Sequence, residues 1–459
     1  MLRESIGILS IGTLLAGPLL AGPASAHSTN ALTPLAPWSA NVTQGAGGQP
    51  SAVDRIVLLA RNGDATSEAL IQTLAQQRSA LLFNVLVRGT VLENRDGVHS
   101  QRNYLSAEEK TALRASLYAR PREERDAFFE ERLRTGPTLV ERATLLKFMG
   151  THGNVNDVAT LLAWAQTEPD DVRIPRAIQA AFSASLGELY RRDQDALKRS
   201  LWAYRRAHLS LLPGVVASIN SSAEPARLDA LTAILGEHPA FDTHILSEID
   251  ALVKRARFAP SGRSQERVRR YLSSQDESLR DQAILVVRTL GDGSAVEILV
   301  KMLKNADQAL AKQITETLYA LTGESLGPYR DVWDNWLEQA STKWQAKGAR
   351  FLSVAANGSP NKASSAIKEL ATMRMYRDEV IDPLARALDR DETEIVALAA
   401  ASIGHLGSLR ATPHLLHALE DPRIEVRRAA YTALRRLTGE NHGAQPTAWR
   451  AAGWGVVTD

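Results

Sequence analysis

The sequence predicts an all-α fold, a superhelix of stacked helix pairs, on two observations. The first is an internal repeat: Thr322-Gly323-Glu324 recurs as Thr438-Gly439-Glu440, 116 residues on, and each threonine is followed eleven residues later by a tryptophan, Trp333 and Trp449. The second is the periodicity carried by the same offset. Leu279, Ala283, Val287 and Leu290 align with Ile395, Ala399, Ile403 and Leu406, and Leu310, Ile314, Leu318 and Leu321 align with Val426, Ala430, Leu434 and Leu437. Steps of 4, 4 and 3 line one face of an α-helix. Repeated helices of this kind bury their apolar stripes against neighbouring units and form an α-solenoid with long free surfaces.

Composition agrees. A chain with 44% hydrophobic and 23% charged residues can bury a large core, and 5% aromatic content suits helices packed through Leu and Ala better than a β-sandwich. The formal charge of +2 demands neither nucleic acid nor a membrane surface. Cysteine is absent, which excludes disulfides, lipidation on cysteine, thiolate metal ligands and a thiol nucleophile.

Residues 1–26 read as a secretory signal: Arg3, an apolar stretch from Ile6 to Ala21, then Ala24-Ser25-Ala26, with cleavage leaving His27 first. Gly12, Gly17 and Pro18 interrupt that stretch and make it a poor membrane span, and Glu4 weakens the positive flank. The expected location is therefore the periplasm or the outside of the cell, the alternative being a membrane anchor through an uncleaved segment. Residues 27–50, rich in Ser, Thr, Pro, Gly and Ala, form a flexible linker. Sequons at Asn41, Asn220 and Asn357 are short enough to arise by chance.

Residues 51–136 are a divergent helical region, with apolar periodicity at Leu58, Leu59 and Leu70 through Leu82. The pattern lapses over 88–104, where Asn94-Arg95-Asp96-Gly97 can turn a hairpin; a surface loop is the other reading. Ser106 and Glu109 have capping-box spacing. From 137 to 459 the chain reads as a repeat solenoid with a carboxyl-terminal cap. Leu139–Met149 and Val155–Ala165 pair across the turn Gly150-Thr151-His152-Gly153. Leu279–Leu290 pairs with Ala295–Leu303, Ala366–Leu370 with Val380–Leu388, and Ile395–Leu406 with Pro413–Leu419; Val426–Leu437 follows.

The run Ala411-Thr412-Pro413-His414-Leu415-Leu416-His417-Ala418-Leu419-Glu420-Asp421-Pro422, continuing Glu425-Val426-Arg427-Arg428-Ala429-Ala430 to Leu434, closely resembles a HEAT repeat. More narrowly it is similar to the short HEAT-like repeats named after phycobilisome lyases. The resemblance is strong over 390–440, good over 276–323, fair over 137–166 and 362–389, and thin over 51–130. It implies that Asp421-Pro422 punctuates two units and that Arg427 binds the adjoining turn, in contact with Asp421. The expectation that follows is a non-catalytic, protein-binding scaffold of the cell envelope. The alternatives are an envelope enzyme, a lyase or glycan-active protein framed by the solenoid, and an anchored subunit of an envelope complex.

No cofactor, catalytic residue or metal site is expected, because Gly-rich phosphate loops, His-Glu-x-x-His and Gly-x-Ser-x-Gly are missing. Glu123-Glu124 and Glu130-Glu131 among Arg122, Arg125, Arg132 and Arg134 read as an ion-paired helix face. His414 and His417, three apart, with His405 on the helix before, read as surface histidines rather than ligands. Trp333, Trp336, Trp344, Trp449 and Trp454 read as unit-end core rather than a sugar-stacking platform.

Two basic groups are the candidate binding residues. Arg191, Arg192, Lys198, Arg199, Arg205 and Arg206 recur every seven residues and would form a stripe on one helix. Lys254, Arg255, Arg257, Arg263, Arg267, Arg269 and Arg270 face only Glu266 between residues 254 and 270. Such patches suit an acidic protein partner or an anionic envelope polymer. The scarcity of interleaved aromatics, Phe258 and Tyr271 alone at the edges, argues against nucleic acid. The bland reading of both groups is a solvated rim of the solenoid.

Overall fold

A computed structural model describes residues 107–134, 137–166 and 174–455. The signal, the linker, the 88–104 segment and the Ser106 cap lie outside the described residues. Among those described there is no strand.

Two helices come first, α1 (Ala107–Tyr118) and α2 (Arg122–Arg134). Helix pairs follow: α3 (Leu139–His152) with α4 (Val158–Ala165), and α5 (Arg176–Arg192) with the short α6 (Gln194–Lys198) and α7 (Ser200–Arg206). Next come α8 (Leu212–Ile219) with α9 (Pro225–Ala233), α10 (Asp242–Arg255) with α11 (Gly262–Arg269), and α12 (Glu277–Leu290) with α13 (Val296–Met302). Helices α14 (Gln308–Thr322) and α15 (Arg330–Asn357) lead to α16 (Pro360–Ala371) with α17 (Arg377–Arg386), α18 (Thr393–Leu406) with α19 (Thr412–Ala418), and α20 (Ile424–Thr438) with α21 (Pro446–Ala451). First helices stack on first helices: α3 on α5, α5 on α8, α8 on α10, α10 on α12, α12 on α14, then α16 on α18 and α18 on α20. This is an all-α solenoid.

The repeat positions build the seams. Ala283, Val287, Ile314, Leu318, Leu321, Ala399, Ile403, Leu406, Val426, Ala430 and Leu434 are all fully buried, while Leu279, Leu310 and Leu437 are partly exposed at the ends of the pattern. Burying a Leu or Ile side chain contributes about 1.5–3 kcal/mol, so each interface rests mainly on these stripes. The 116-residue offset maps α12, α13 and α14 onto α18, α19 and α20.

Three expectations need correction. The Gly150–Gly153 stretch is not a turn: α3 runs through His152, and Gly150 lies buried in the helix, where a Cβ would come within 2.6 Å of the Ser185 Cα. Its lack of a side chain serves close approach of α5. Residues 191–206 are not one helix but parts of α5, α6 and α7, because Asp193 caps α6 through Asp195 and Ala196 N–H and breaks the run. Arg427 does reach the adjoining turn, but through the Asp421 and Pro422 carbonyls at 2.8 and 2.7 Å; the Asp421 carboxylate pairs instead with Arg423 at 2.7 Å.

Candidate functional site

The two Thr-Gly-Glu turns are built alike. Gly323 and Gly439 hold φ of +85° and +72°, the left-handed conformation that ends α14 and α20. Thr322 donates to the Leu318 carbonyl at 2.7 Å and accepts from Glu324 N–H at 3.0 Å; Thr438 repeats this with Leu434 and Glu440 at 2.8 and 3.1 Å. The Trp333 indole donates to the Gly327 carbonyl at 2.8 Å and the Trp449 indole to Gly443 at 2.7 Å, and both rings are fully buried. These two tryptophans close the ends of their units.

Arginines from distant turns treat the two copies differently. Arg374 lies across Gly323 and donates to the Ala320 carbonyl at 3.4 Å. Arg257 approaches Glu440 at 3.4 Å and the Trp454 ring at 5.6 Å from its centroid. Glu440 also accepts from the Trp454 indole at 3.0 Å and bonds His442 at 2.5 Å; these donors, with Arg257, hold its carboxyl below the usual range. Trp336 packs edge-on to Trp333, and Trp344 stacks on Tyr376 at 4.3 Å.

The Arg257 contact joins residues 183 apart in sequence and ties the turn before α11 to the turn after α20, and beside it the turns before α11 and before α19 face each other. Between them lies a cavity of about 560 Å³. Pro225, Leu228, Phe258, Pro260, Leu409 and Pro413 form its apolar lining, and Asp229, Arg257, Asp382, Arg410, Thr412 and His414 its polar one. A second cavity of about 350 Å³ shares Pro260, Gly262 and Arg410 with it and adds Glu266, Arg269, Asp378 and Glu379. Together they make one groove between successive inter-helix turns.

The charge of this groove is set by which groups are already paired. Arg257 faces Glu440, Arg269 grips Asp292 through two bonds of 2.7 and 2.9 Å, Arg410 sits 3.7 Å from Asp382, and Glu266 pairs with Arg270 at 2.6 Å. The Asp229 carboxylate accepts from two hydroxyls, Ser261 at 2.9 Å and Ser264 at 2.6 Å, while Arg267 donates to the Asp229 backbone carbonyl. Asp378 accepts from Ser408 at 3.5 Å and feels the buried Arg377. The exposed Glu379 side chain has no ion pair among the described residues. Three carboxylates thus lack a cation in direct contact.

Most of the basic candidates are engaged inside the fold. Arg191 pairs with Glu188, Lys198 with Asp195 at 2.7 Å, and Arg205 with Glu237 at 2.5 Å. Arg192 donates to the Gly150 and Gly153 carbonyls at 2.9 and 2.8 Å, finishing α3, and Arg206 lies over Trp202. In the second group Lys254 pairs with Asp250 at 2.6 Å, Arg255 donates to the Asn220 side chain at 2.6 Å, and Arg267 reaches the Asp229 carbonyl at 3.3 Å. The positive charge is thus offset by local carboxylates and by Glu237, Glu440 and Asp292 from other elements, while neutral carbonyl and amide oxygens satisfy Arg192, Arg255 and Arg267 without neutralising them. Among these candidates the exposed Arg199, Arg206 and Arg263 have side chains without an ion pair or hydrogen bond among the described residues, and of the three only Arg206 has a ring contact, with Trp202.

His405, His414 and His417 are exposed, and no cluster of three potential metal ligands occurs among the described residues. The polar cluster that sequence reasoning missed is at the amino-terminal end: Tyr118 donates to Asp157 at 2.5 Å, Asn154 donates to Tyr118 at 3.2 Å, and Arg125 stands 3.8 Å from Asp157. It fastens α1 and α2 to the turn before α4.

Residues 349–435 match the family model described as HEAT repeats. This stretch is a HEAT-repeat array. It takes in α16 to α19 and most of α20, so the fair segment 362–389 and most of the strong segment 390–440 are covered together, while 137–166 and 276–323 lie outside the match. No curated protein matches the chain. Among solved structures it is similar to an engineered protein at 14% identity, over 84% of this chain and 98% of that one, with a TM-score of 0.24. It is also similar to Kap121p at 12% identity (84% and 49% covered, TM-score 0.27) and to yeast importin-beta, Kap95p, at 14% (86% and 53%, TM-score 0.22). The chain spans about half the length of the last two. Likenesses so distant carry no argument about function.

Proposed function

We propose that this HEAT-repeat protein is a non-catalytic scaffold that holds another protein, working in the cell envelope. The observation that supports it most is the row of inter-helix turns at 257–262, 293–294, 375–379 and 409–414, which stand side by side and border one open groove. Turns displayed by a packed solenoid keep their positions without needing a partner, so a bound polypeptide costs little reorganisation of the scaffold. The envelope location is supported by the sequence of residues 1–26. Within the HEAT class, Ala411–Leu434 is similar to the short repeats named after phycobilisome lyases. Two unengaged arginines, Arg199 and Arg263, are too little to commit the partner to being acidic.

Size-exclusion chromatography of the native chain from envelope extracts, with light scattering, tests the reading. A second polypeptide co-eluting at fixed stoichiometry is expected. Elution of the chain alone, at low and at high salt, would refute the scaffold. Intact-mass measurement of the exported chain should give His27 as its first residue.

A further inference from the structure

We propose that the groove between the α11 and α19 ends takes an extended, basic segment of the partner, its apolar side chains on the proline-rich lining and its lysines or arginines along Asp229, Asp378 and Glu379. The inference deepens the scaffold reading and rests on it.

Three observations converge. First, charge: the cavities contain no lysine, and each of their arginines, Arg257, Arg269 and Arg410, already faces a carboxylate. Among the residues lining the two cavities the carboxylates Asp229, Glu266, Asp378, Glu379 and Asp382 outnumber the cations Arg257, Arg269 and Arg410 by two, a negative excess tempered by Arg267 at the Asp229 carbonyl and Arg263 beside Glu266, which complementary charge on a ligand relieves. Second, an orphaned group: Thr412, 1% exposed, lines the larger cavity, and its hydroxyl has no hydrogen-bond partner among the described residues. A buried hydroxyl without a partner is unfavourable, and rotation of the Thr412 side chain toward the cavity would let an N–H or carbonyl of a bound chain satisfy it.

Third, shape: the two cavities, about 560 and 350 Å³, share lining residues, are open and are bordered by several inter-helix turns rather than closed around a small molecule. An extended chain advances about 3.3–3.6 Å per residue, so alternate side chains stand roughly 7 Å apart on one side. Lysine at every second position puts its charges on one side of the chain, toward Asp229 of α9 and toward Asp378 and Glu379, neighbours at the start of α17. Arg410 borders the same groove, and the buried Arg377 backs Asp378; a denser positive segment would meet these cations.

The test uses the full chain and a fluorescein-labelled hexapeptide, Leu-Lys-Ala-Lys-Ala-Lys, with Leu-Glu-Ala-Glu-Ala-Glu as its counterpart, both read by fluorescence anisotropy at low salt. The lysine peptide should bind and the glutamate peptide should not. The double variant Asp378→Asn, Glu379→Gln should weaken binding by about 3- to 10-fold, and Thr412→Val should weaken it without changing the salt dependence. Lys147→Glu, an exposed position of α3 that lines neither cavity, should leave the affinity within about twofold, with circular dichroism and urea midpoints showing that each variant is folded.

No binding of the lysine peptide, stronger binding of the glutamate peptide, or equal affinity in folded Asp378→Asn, Glu379→Gln would overturn the proposal. The two readings fail separately. If a polypeptide co-elutes with the native chain while the lysine peptide does not bind, the scaffold stands and the basic-segment groove falls. If the peptide binds as described but no polypeptide co-elutes, the groove stands as a peptide site and the scaffold falls.

Discussion

Replacing Gly404 by alanine tests the helix packing with a sign that helix propensity alone gets wrong. Gly404 is buried in α18, and an added Cβ would lie 2.7 Å from the Ala433 Cα, 2.8 Å from its Cβ and 3.3 Å from its carbonyl oxygen in α20. Ordinary carbon contacts are about 3.5–4.0 Å, so the two helices must part by about 1 Å. The obstruction includes backbone, which cannot rotate aside, and the same seam holds Val396, Ala400, Ala430 and Leu434 at full burial. Overpacking costs about 1–3 kcal/mol and this case belongs in the upper half of that range, while removing a mid-helix glycine returns about 1 kcal/mol. The net is a destabilisation of about 1–2 kcal/mol. Gly187 in α5 is the matched contrast: its Cβ would meet the Ser218 Cα at 3.7 Å, an ordinary contact, so Gly187→Ala should stabilise by about 0.5–1 kcal/mol. Urea unfolding followed by tryptophan fluorescence, with hydrogen exchange over 393–438 to localise the change, measures both, because stacked units can open separately. A Gly404→Ala protein as stable as the parent, or a Gly187→Ala protein destabilised equally, would refute the argument.

Three further outcomes are expected. Trp449→Phe and Trp333→Phe each remove one indole bond, at 2.7 and 2.8 Å, and should destabilise their units by similar amounts of about 1–2 kcal/mol, against about 3–5 kcal/mol for either alanine variant, by urea titration. Burial holds the Tyr190 hydroxyl above its ordinary pKa, and that hydroxyl has no partner among the described residues. A folded pKa raised above the unfolded value contributes stability below about pH 10 that is lost as pH rises toward the folded value. Tyr190→Phe should therefore be neutral or slightly stabilising at pH 7 and should flatten the alkaline decline seen in thermal melts. His152 is pushed the other way, by burial first and then by Arg192 and Arg114. Its stability contribution is present above about pH 6.5 and lost as pH falls below it, so His152→Gln should narrow the drop in urea midpoint between pH 7 and pH 5.

Part of this was legible along the chain. Helices α12, α14, α18 and α20 were visible because their apolar residues recur every three or four positions, a local pattern enforced by helix geometry. The Thr-Gly-Glu turns and Trp333 and Trp449 were visible as well, since capping, a left-handed glycine and a burying indole all lie within eleven residues. The break at Asp193 was harder, because charges spaced by seven look like a helical stripe whether or not a cap interrupts them. The turn at Gly150 was misread because glycine also marks close helix approach, and the Ser185 backbone that demands it is 35 residues away.

Helix positions and the stacking class are properties of short stretches of side chains, and those stretches were enough to establish a solenoid. The partners of the arginines were not in such stretches. Arg269 meets Asp292, Arg255 meets Asn220 and Arg257 meets Glu440, across 23, 35 and 183 residues. Which carboxylates stay unmatched, and hence the sign of the groove, depends on the angle at which each unit sits on the next. Small rotations at every seam accumulate into a superhelix, and no local pattern of residues records their sum.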